Sequence, residues 1–597
     1  MTKFEFLANE TLLEFFGYLN GIDIYYAFSG LNNRFNQLIR NIPLHANFQN
    51  VKSEVFNQFC TQMLLYPSIK DQIVSLNLSD TIGTRGQAQA FLSMFQLNEF
   101  SHLRSLTLVE IVSIDGEEMK SMLESLSNLK HLVIRKCYFS EDIQTVIMES
   151  TVKMLTVSML YYDSMFIDKI IPITHLTVSE SCELETLYEF FRGIPLLKYL
   201  KIERLSDDDY NGFNHLDYLN DQAVCLRQLI IHNKDWFQPD LYELIFKQTP
   251  NLKILAFSVT YTEHGIFSPE QNKIDIVDAD LWEKTITLLI PQLKVFKFVF
   301  EISFYDLCQD KVLKQFKLFQ ADFWLKQHQW YTVCEYGDKS AVIYTIPYCL
   351  NYIRLESDIS IICDASINKS KLHDNITHLN FCVKRVNREM PHYLSNIKLL
   401  RLKLKFGYGL APVVFNNQAL QLLEMSVNLA NIKYLDINHL VHIESPLILL
   451  QILKQTPNLS VIGITPQCLI SSLTNDELCT YFNKLIKKLL IFAREGLSSI
   501  DSNELIKFCE TFSNLEQLQC SVQHSNDLMF ILKYLSKLSC IKIKCSEDLH
   551  LSVEDLNEKL QELGSKLKKT FLYEFTSQED IFKDDNTYLD IWLNYKN

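Results

Sequence analysis

The sequence predicts an α/β protein in which short parallel strands alternate with helices, behind a separate helical segment at the N-terminus. Three observations predict this fold class: a recurring apolar phrase, helical stretches between its copies, and an N-terminal segment without the phrase. The clearest copy, SNLKHLVIRKCYF, has its apolar residues at Leu129, Leu132, Ile134, Cys137 and Phe139. The alternation of apolar and polar residues at its centre is typical of a half-buried strand.

The phrase matches the pattern L-x-x-L-x-L-x-x-N/C-x-L of leucine-rich repeats. Successive middle residues between Leu106 and Leu200 lie 21 to 26 residues apart, within the period of roughly 20–29 residues typical of such repeats. Stacked strand–turn–helix units predict a solenoid, a horseshoe whose parallel sheet lines the concave face. The middle residues of the copies are Leu76, Leu106, Leu132, Leu155, Leu176, Leu200, Leu229, Leu255, Phe296, Leu379, Leu400, Leu435, Ile462, Leu518 and Ile541.

Composition and charge narrow the classes of partner. Hydrophobic residues make up 47% of the chain and charged residues 21%, which indicates a core-forming protein. The formal net charge of −14 argues against a nucleic-acid partner. No apolar run approaches the roughly 20 residues of a membrane helix, and the start, MTKFEFLANE, has no signal-peptide core. Fifteen scattered cysteines without a C-x-x-C pair fit a reducing compartment, and we expect a cytoplasmic or nuclear protein.

Breaks in the repeat predict four parts of the chain. They are a helical module at 1–45, a linking and capping helix within 46–70, the repeat array over 71–570, and a C-terminal cap at 571–597. Repeat arrays need such caps because their terminal units expose an apolar edge. The linking helix is expected at Val51–Leu65, which has apolar residues at four-residue steps.

The array is expected to be irregular. An insertion or a set of strongly diverged repeats is predicted at about 300–375. Within it, a longer helix is expected over Asp310–Trp330 and two strands are expected on either side of a turn at Gly337. Most units also lack Asn or Cys at the ninth position of the phrase, so we expect apolar stacking rather than a side-chain ladder to join them. A helix is predicted over Asn475–Arg494.

The N-terminal segment favours three short helices, at Ala8–Leu19, Ile22–Leu31 and Asn32–Ile39. Asn9 is expected to cap the first helix, and Asn20-Gly21 separates it from the second. Three short helices this rich in aromatic residues cannot bury every ring among themselves. We therefore expect some of their apolar surface to face another surface.

This segment resembles an F-box. The likeness is carried by FLANETLLEFFGYL at Phe6–Leu19, by Asp23-Ile24, and by LNNRF at Leu31–Phe35. With the repeats, the chain is similar to the F-box family with leucine-rich repeats. The resemblance implies a substrate-recognition subunit of an SCF-type cullin-RING ubiquitin ligase, which docks an adaptor subunit and holds a protein substrate. It also implies that the chain is no enzyme itself and needs no cofactor.

The resemblance further implies which residues contact the adaptor. They are Leu7, Ala8, Glu10, Leu13, Phe16, Leu19, Leu31 and Phe35. The substrate is expected to contact residues that flank the apolar strand positions, such as Lys130, His131, Val133 and Arg135 in the clearest repeat. The substrate itself is an unknown protein.

Two departures from the family pattern motivate an alternative. Ala8 and Phe35 occupy the places at which the family usually has proline and tryptophan. The alternative is a leucine-rich-repeat scaffold that binds proteins but is not engaged in a ubiquitin ligase.

A third hypothesis is an enzyme or a metal protein, but its motifs are missing. The sequence has no phosphate loop, G-x-S-x-G, H-E-x-x-H or paired C-x-x-C. The weaker clusters are Gly83–Gly86, His439 with His442, and Asp275, Asp278 and Asp280. The first lacks the Lys-Ser/Thr of a phosphate loop, and Asp280 is more simply explained as a helix cap. We therefore predict no catalytic residue and no metal site, and Cys137 is expected to be a core ladder residue.

Overall fold

The computed structural model describes residues 4–49, 51–81, 84, 86–111, 116–137, 147, 150–159, 171–206, 222–233, 239–260, 277–303, 309–337, 340–356, 360–363, 372–383, 394–404, 414–437, 442–491, 502–522, 525–544, 553–567, 569–579 and 585–595. The chain divides into two compact units. Unit 1 comprises residues 1–302 and 308–330, and unit 2 comprises residues 303–307 and 331–597. Both are α/β units with long parallel sheets whose strands alternate with helices.

Unit 1 contains most of the shorter helices. Its strands are β1 (Leu44–Asn47), β2 (Ile73–Ser79), β3 (Ser105–Val109), β4 (His131–Arg135), β5 (Met154–Val157), β6 (His175–Val178), β7 (Cys182–Glu183), β8 (Tyr199–Ile202), β9 (Leu205–Ser206), β10 (Gln228–Asn233), β11 (Ile254–Val259) and β12 (Val295–Ser303). Its helices are α1 (Asn9–Phe16), α2 (Gly21–Phe28), α3 (Asn33–Arg40), α4 (Ser53–Leu65), α5 (Ser68–Gln72), α6 (Gln87–Met94), α7 (Gly116–Ser125), α8 (Leu184–Gly193), α9 (Pro239–Lys247), α10 (Ala279–Leu289) and α11 (Gln309–Leu318).

Unit 2 begins with antiparallel strands and continues as a parallel sheet. Its strands are β13 (Thr332–Tyr336), β14 (Ser340–Thr345), β15 (Tyr352–Glu356), β16 (Ser360–Cys363), β17 (His378–Val383), β18 (Leu399–Leu404), β19 (Val414–Phe415), β20 (Tyr434–Ile437), β21 (His442–Ile443), β22 (Val461–Ile464), β23 (Lys488–Ile491), β24 (Gln517–Ser521), β25 (Cys540–Lys544), β26 (Lys569–Glu579) and β27 (Asp585–Tyr595). Its helices are α12 (Asn417–Ser426), α13 (Pro446–Gln455), α14 (Pro466–Leu473), α15 (Asp476–Leu485), α16 (Ser502–Thr511), α17 (Ser525–Tyr534) and α18 (Val553–Leu567).

One buried apolar row runs through the parallel strands of each unit, because the middle residue of each repeat phrase is the register partner of the next. In unit 1 the row is Ala46, Leu76, Leu106, Leu132, Leu155, Leu176, Leu200, Leu229, Leu255 and Phe296. In unit 2 it is Ile353, Leu379, Leu400, Leu435, Ile462, Leu489, Leu518 and Ile541. All are buried. Burying one such side chain stabilises the fold by roughly 1.5–3 kcal/mol.

Two members of the second row lie on repeat strands that the sequence did not predict. Ile353 lies on β15, inside the predicted insertion, and Leu489 lies on β23, inside the helix predicted over Asn475–Arg494. That helix ends at Leu485, and the chain then enters the sheet. Leu489 and Ile491 lie on a strand that pairs with β22, and both are buried there.

The stretch with the lapsed repeat holds an antiparallel group of strands. The predicted helix over Asp310–Trp330 is divided into α11 and a π-helical turn at Phe323–Gln327. Strands β13 and β14 form the expected hairpin around Gly337, and β16 pairs with the other edge of β13.

A side-chain ladder at a position other than the ninth joins several successive repeats. The asparagine before the first leucine of a phrase donates to a backbone carbonyl of the preceding unit, as Asn251 Nδ2 does to Val224 O (3.0 Å) and Asn458 Nδ2 to Ala430 O (2.8 Å). The same bond joins Asn128 to Ser101, Asn396 to Asp374, Asn431 to Ser395, and Asn514 to Asn483. The ninth position contributes at Cys137, whose Sγ accepts from Ile111 N (3.3 Å).

Further strands lie beside the first and the last repeat strands, β2 and β25. Strand β1, which the sequence reading missed, forms the edge beside β2, and α4 packs next to it through Phe56 and Phe59 against Phe48. At the other end, β27 pairs antiparallel with β25, and β26 pairs antiparallel with β27.

Candidate protein-binding surface

Two of the three N-terminal helices, α2 and α3, begin at asparagine caps. Asn20 Oδ1 accepts from Ile22 N (3.3 Å), and Asn32 Oδ1 accepts from Phe35 N (2.9 Å), so each asparagine satisfies a free amide of the first helical turn. Helix α1 instead begins after Ala8, which offers no side-chain cap, so the predicted cap at Asn9 is wrong.

Aromatic rings form the core of this module. Phe16 and Phe35 are buried, and their ring centroids lie 6.5 Å apart. Phe28 packs on both, at 5.1 Å from Phe16 and 5.6 Å from Phe35. Phe4, from the turn that precedes α1, stacks on Phe28 at 5.7 Å and so closes the cluster. Three short helices thus share one core of rings.

Arg34 fastens the N-terminal segment to α3. Its Nε donates to Asn9 Oδ1 (2.8 Å), and its two terminal nitrogens donate to the carbonyl oxygens of Glu5 and Leu7. One guanidinium therefore satisfies two carbonyls that precede α1 and one side chain on it. This contact brings the segment around Leu7 close to α3, which starts just after Leu31.

The module is also bound to the first strands of unit 1. The side chain of Asn20 forms a reciprocal pair with the backbone of Asn47 on β1, at 2.8 Å and 3.0 Å. Gln72 Nε2 donates to Ile39 O (2.8 Å), while Tyr25 OH donates to Gln72 Oε1 (3.2 Å). Burial raises the pKa of the Tyr25 hydroxyl to about 12, so it acts as a hydrogen-bond donor at neutral pH. These bonds attach the module to β1 and to α5.

Exposed apolar side chains concentrate on this module. Among the described residues, 23 large apolar side chains are exposed, and seven of them belong to this module, within residues 4–31 of the 597-residue chain. The most exposed of these seven are Tyr18 (83%), Phe6 (73%), Tyr26 (67%) and Leu31 (59%). Single exposed apolar residues are ordinary, but such a concentration marks an interaction surface.

The eight residues predicted to contact an adaptor fall into three groups. The exposed ones are Ala8, Glu10, Leu13 and Leu31, and the half-buried ones are Leu7 and Leu19. Phe16 (2% exposed) and Phe35 (1%) are core residues instead, because the rings of Phe4 and Phe28 cover them. The contact role of the other six stays a prediction.

The structure adds exposed rings that the sequence reading did not single out, namely Phe6, Phe15, Tyr18 and Tyr26. The aromatic content of the segment predicted surplus apolar surface, but it did not indicate which rings would be exposed. The clamp by Arg34 had a weaker signal, a single basic residue within the LNNRF stretch.

A groove of about 140 Å³ lies between α2 and α4. Its apolar wall includes Ile22, Tyr25 and Phe59, and its rim carries Gln58 and Gln62. Beyond the groove, Leu64, Leu65 and Tyr66 at the end of α4 are also exposed. The apolar surface therefore extends from the three-helix module onto the linking helix.

The predicted substrate-facing residues of β4 are only partly exposed. Lys130 and Arg135 are exposed and His131 is half-buried, whereas Val133 is buried at 7% exposure. At that exposure Val133 offers almost no surface to a substrate.

The weaker clusters gain no support. Asp278, not Asp280, caps α10, accepting from Asp280 N (3.0 Å), and Asp275 lies outside the described residues. His442 lies on the short strand β21, while His439, Gly83 and Arg85 lie outside the described residues. Within the described part of the chain, no group of three or more His, Cys, Asp or Glu side chains is arranged to hold a metal ion. Burial raises the pKa of the Cys137 thiol to about 11, which agrees with a ladder residue.

One buried polar cluster in unit 2 is structural. Tyr344 OH donates to Glu335 Oε1 (2.5 Å) and lies 3.2 Å from His373 Nε2. All three side chains are buried, so no substrate reaches them. Burial also holds the pKa of Tyr344 well above its usual value. As for membranes, none of the described helices is long and apolar enough to cross one.

Comparison with known protein families gives no match, and comparison with curated proteins gives none either. Among solved structures, the chain is similar to the crystal structure of the Rad7 and Elc1 complex in yeast. That alignment has a TM-score of 0.26 and 12% sequence identity, and it covers 76% of this chain and 86% of that chain. A likeness of this strength carries no conclusion about what the present chain binds.

Proposed function

We propose that the chain is the substrate-recognition subunit of an SCF-type cullin-RING ubiquitin ligase. In this proposal the N-terminal module acts as an F-box and docks the adaptor subunit. The remainder is an irregular leucine-rich-repeat solenoid that holds a protein substrate. The observation that carries the proposal is the concentration of exposed apolar side chains on a module that resembles an F-box in sequence.

The attachment of the module to the sheet supports this role. Arg34 holds the N-terminal segment on α3, and the Asn20–Asn47 pair holds the module on β1. A docking element that is fixed to the array would hold a bound substrate at a set distance from the rest of the ligase. Such preorganisation raises the effective concentration of the substrate without any bond chemistry by this chain.

The adaptor contact would use the exposed part of the predicted set. Leu13 and Leu31 are its exposed aliphatic residues, at 38% and 59% exposure, and Tyr18 and Phe6 would extend it. Phe16 and Phe35 would act beneath this surface by supporting the helices from the core.

The test is co-purification of the full chain with an adaptor subunit of a cullin-RING ligase. The double variant Leu13→Asp with Leu31→Asp places two charges on the docking surface, and we expect adaptor recovery to fall at least about tenfold. The matched control is Leu288→Asp with Leu447→Asp, since both leucines are exposed on helices that do not belong to the module. Its recovery should equal that of the wild type.

Absence of adaptor from the wild-type preparation would overturn the ligase role. The repeat scaffold outside a ligase would then be the better interpretation, and the burial of Phe16 and Phe35, which removes two expected contacts, is the observation that favours it.

A further inference from the structure

A row of cations follows the edge of the sheet that is formed by the N-terminal ends of the parallel strands of unit 1. Each member is the residue directly before a strand. The exposed members are Arg104, Lys130, Lys153, Lys198, Lys253 and Lys294. Arg227 is a half-buried seventh member, and Thr174 is the one uncharged position between Arg104 and Lys294. We call these residues the cationic row.

Backbone hydrogen bonds show that the members are neighbours. Lys130 N donates to Arg104 O (2.9 Å), and Lys153 N donates to Lys130 O (3.0 Å). The same bond then links Thr174 to Lys153, Lys198 to Thr174, Arg227 to Lys198, Lys253 to Arg227 and Lys294 to Lys253. Strand spacing in a sheet is about 4.8 Å, so seven steps give a row of roughly 34 Å.

The short segments that lead directly into these strands carry no acidic residue. The segments 100–105, 126–131, 150–154, 171–175, 193–199, 222–228, 248–254 and 290–295 contain no Asp or Glu. Within the described residues, none of the six exposed cations takes part in an ion pair. Arg227 instead donates to the carbonyl oxygens of Val224 and Asn251. The six exposed charges therefore repel one another, and an added anion would relieve that repulsion.

The equivalent row of unit 2 is different. Its positions are Asn351, Thr377, Lys398, Lys433, Ser460, Lys487, Glu516 and Ser539, joined by the same backbone bonds. Only three are cations, and Lys487 lies 3.8 Å from Glu516. The fold itself therefore does not require cations at this place, and unit 2 offers a matched surface without the continuous charge.

We propose that the cationic row binds an acidic segment of a partner protein, which runs along the sheet edge across successive repeats. The inference rests on the proposed function, since it names the chemical class of substrate that the array would hold. An extended chain covers roughly 3.3–3.6 Å per residue, so about ten residues would span the row. Nucleic acid fits less well. A polyanion that extends beyond the row would be repelled by the rest of the protein, because the net charge of the chain is −14.

The test measures binding by the full chain to defined probes at low ionic strength, by fluorescence anisotropy. One probe is a labelled peptide of about twelve residues that alternates Glu and Ser, and the second replaces every Glu by Gln. A third is a single-stranded oligonucleotide of similar charge. We expect the Glu peptide to bind at least about tenfold more tightly than the other two probes.

Charge reversal then locates the site. Lys130→Glu with Lys153→Glu changes two adjacent, exposed members of the row and should weaken binding of the Glu peptide at least about tenfold. Lys398→Glu with Lys433→Glu changes the same positions on adjacent turns of unit 2 and should change it less than about twofold. Circular dichroism checks that both variants remain folded, as expected for exposed side chains.

Three results would overturn the proposal: equal binding of the Glu and Gln peptides, equal loss in the two variants, or tighter binding of the oligonucleotide. None of these measurements includes an adaptor subunit. Failure of the acidic-segment proposal is therefore distinguishable from failure of the ligase proposal, which the Leu13 and Leu31 variants test separately.

Discussion

Unit 1 and unit 2 stack parallel strands around the same kind of buried row, with Leu200 in the first unit and Leu435 in the second. Their exposed edges differ. Unit 1 carries the cationic row, whereas unit 2 mixes Lys, Ser, Thr, Asn and Glu at the same places and has more of the asparagine ladder. Close packing requires apolar residues at the buried positions of both units. The exposed positions before the strands can differ in residue type, and they can therefore bind a partner.

The largest expected effect tests whether the two buried rows are equivalent. Leu200→Ala and Leu435→Ala each remove a fully buried side chain from a central strand, which costs about 2–5 kcal/mol of unfolding free energy. We expect the two costs to agree within about 1 kcal/mol, as measured from the shift of the urea unfolding transition. A cost in only one unit would show that the repeats do not stack equally tightly in both.

A smaller, pH-dependent effect is expected from the sheet face of unit 1. His232 on β10 is half-buried, its Nδ1 lies 2.8 Å from Ser258 Oγ on β11, and burial lowers its pKa to about 4. The ordinary pKa of histidine is about 6.5. Below about pH 6.5 the unfolded chain therefore binds a proton at His232 that the folded chain does not bind until the pH is lower. Stability contributed by the neutral ring is therefore lost as the pH falls from about 6.5 towards about 4.

The matched measurement compares the wild type with His232→Asn, which keeps a polar atom for Ser258 but does not titrate. Between about pH 7 and about pH 5, the wild type should lose about 1–2 kcal/mol more unfolding free energy than the variant. A constant difference between the two proteins would contradict the lowered pKa of His232.

The smallest expected effect concerns the asparagine ladder. Asn251→Ala in unit 1 and Asn458→Ala in unit 2 each remove the exposed hydrogen bond to the preceding repeat, and Asn251→Ala also removes the bond that Asn251 Oδ1 accepts from Gln292 Nε2 (3.1 Å). Each should cost about 0.5–1.5 kcal/mol. Thermal unfolding of the two variants checks this. Asn98→Ala is the control, because among the described residues its side chain bonds only to nearby Gln96, and its loss should be neutral.

The period of the apolar phrase predicted the strands because burial acts on each repeat separately. Leu132 and Leu155 are one repeat apart in the sequence and are register partners in the sheet. The strand around Leu489 was not predicted, because the residues around it also fit a helical period. In the structure this segment forms a strand that pairs with β22. Strand β1 was missed because it is short and has no complete phrase.

The candidate surface was predicted only in part. The aromatic content of residues 4–40 indicated surplus apolar surface, which the exposure of Tyr18 and Phe6 bears out. Which rings would be buried depends on contacts between helices, such as those of Phe28 with Phe16 and Phe35. No local pattern contains that information.

The sequence by itself determined that strands and helices alternate and which apolar residues face the core, because one repeat length brings equivalent residues into register. Only the tertiary structure decided that Phe16 and Phe35 are enclosed and that Arg34 fastens the segment before α1. It also decided that lysines such as Lys130 and Lys153, separated by 23 residues of chain, become neighbours. Charge–charge effects depend on distance in space, and stacking alone sets that distance.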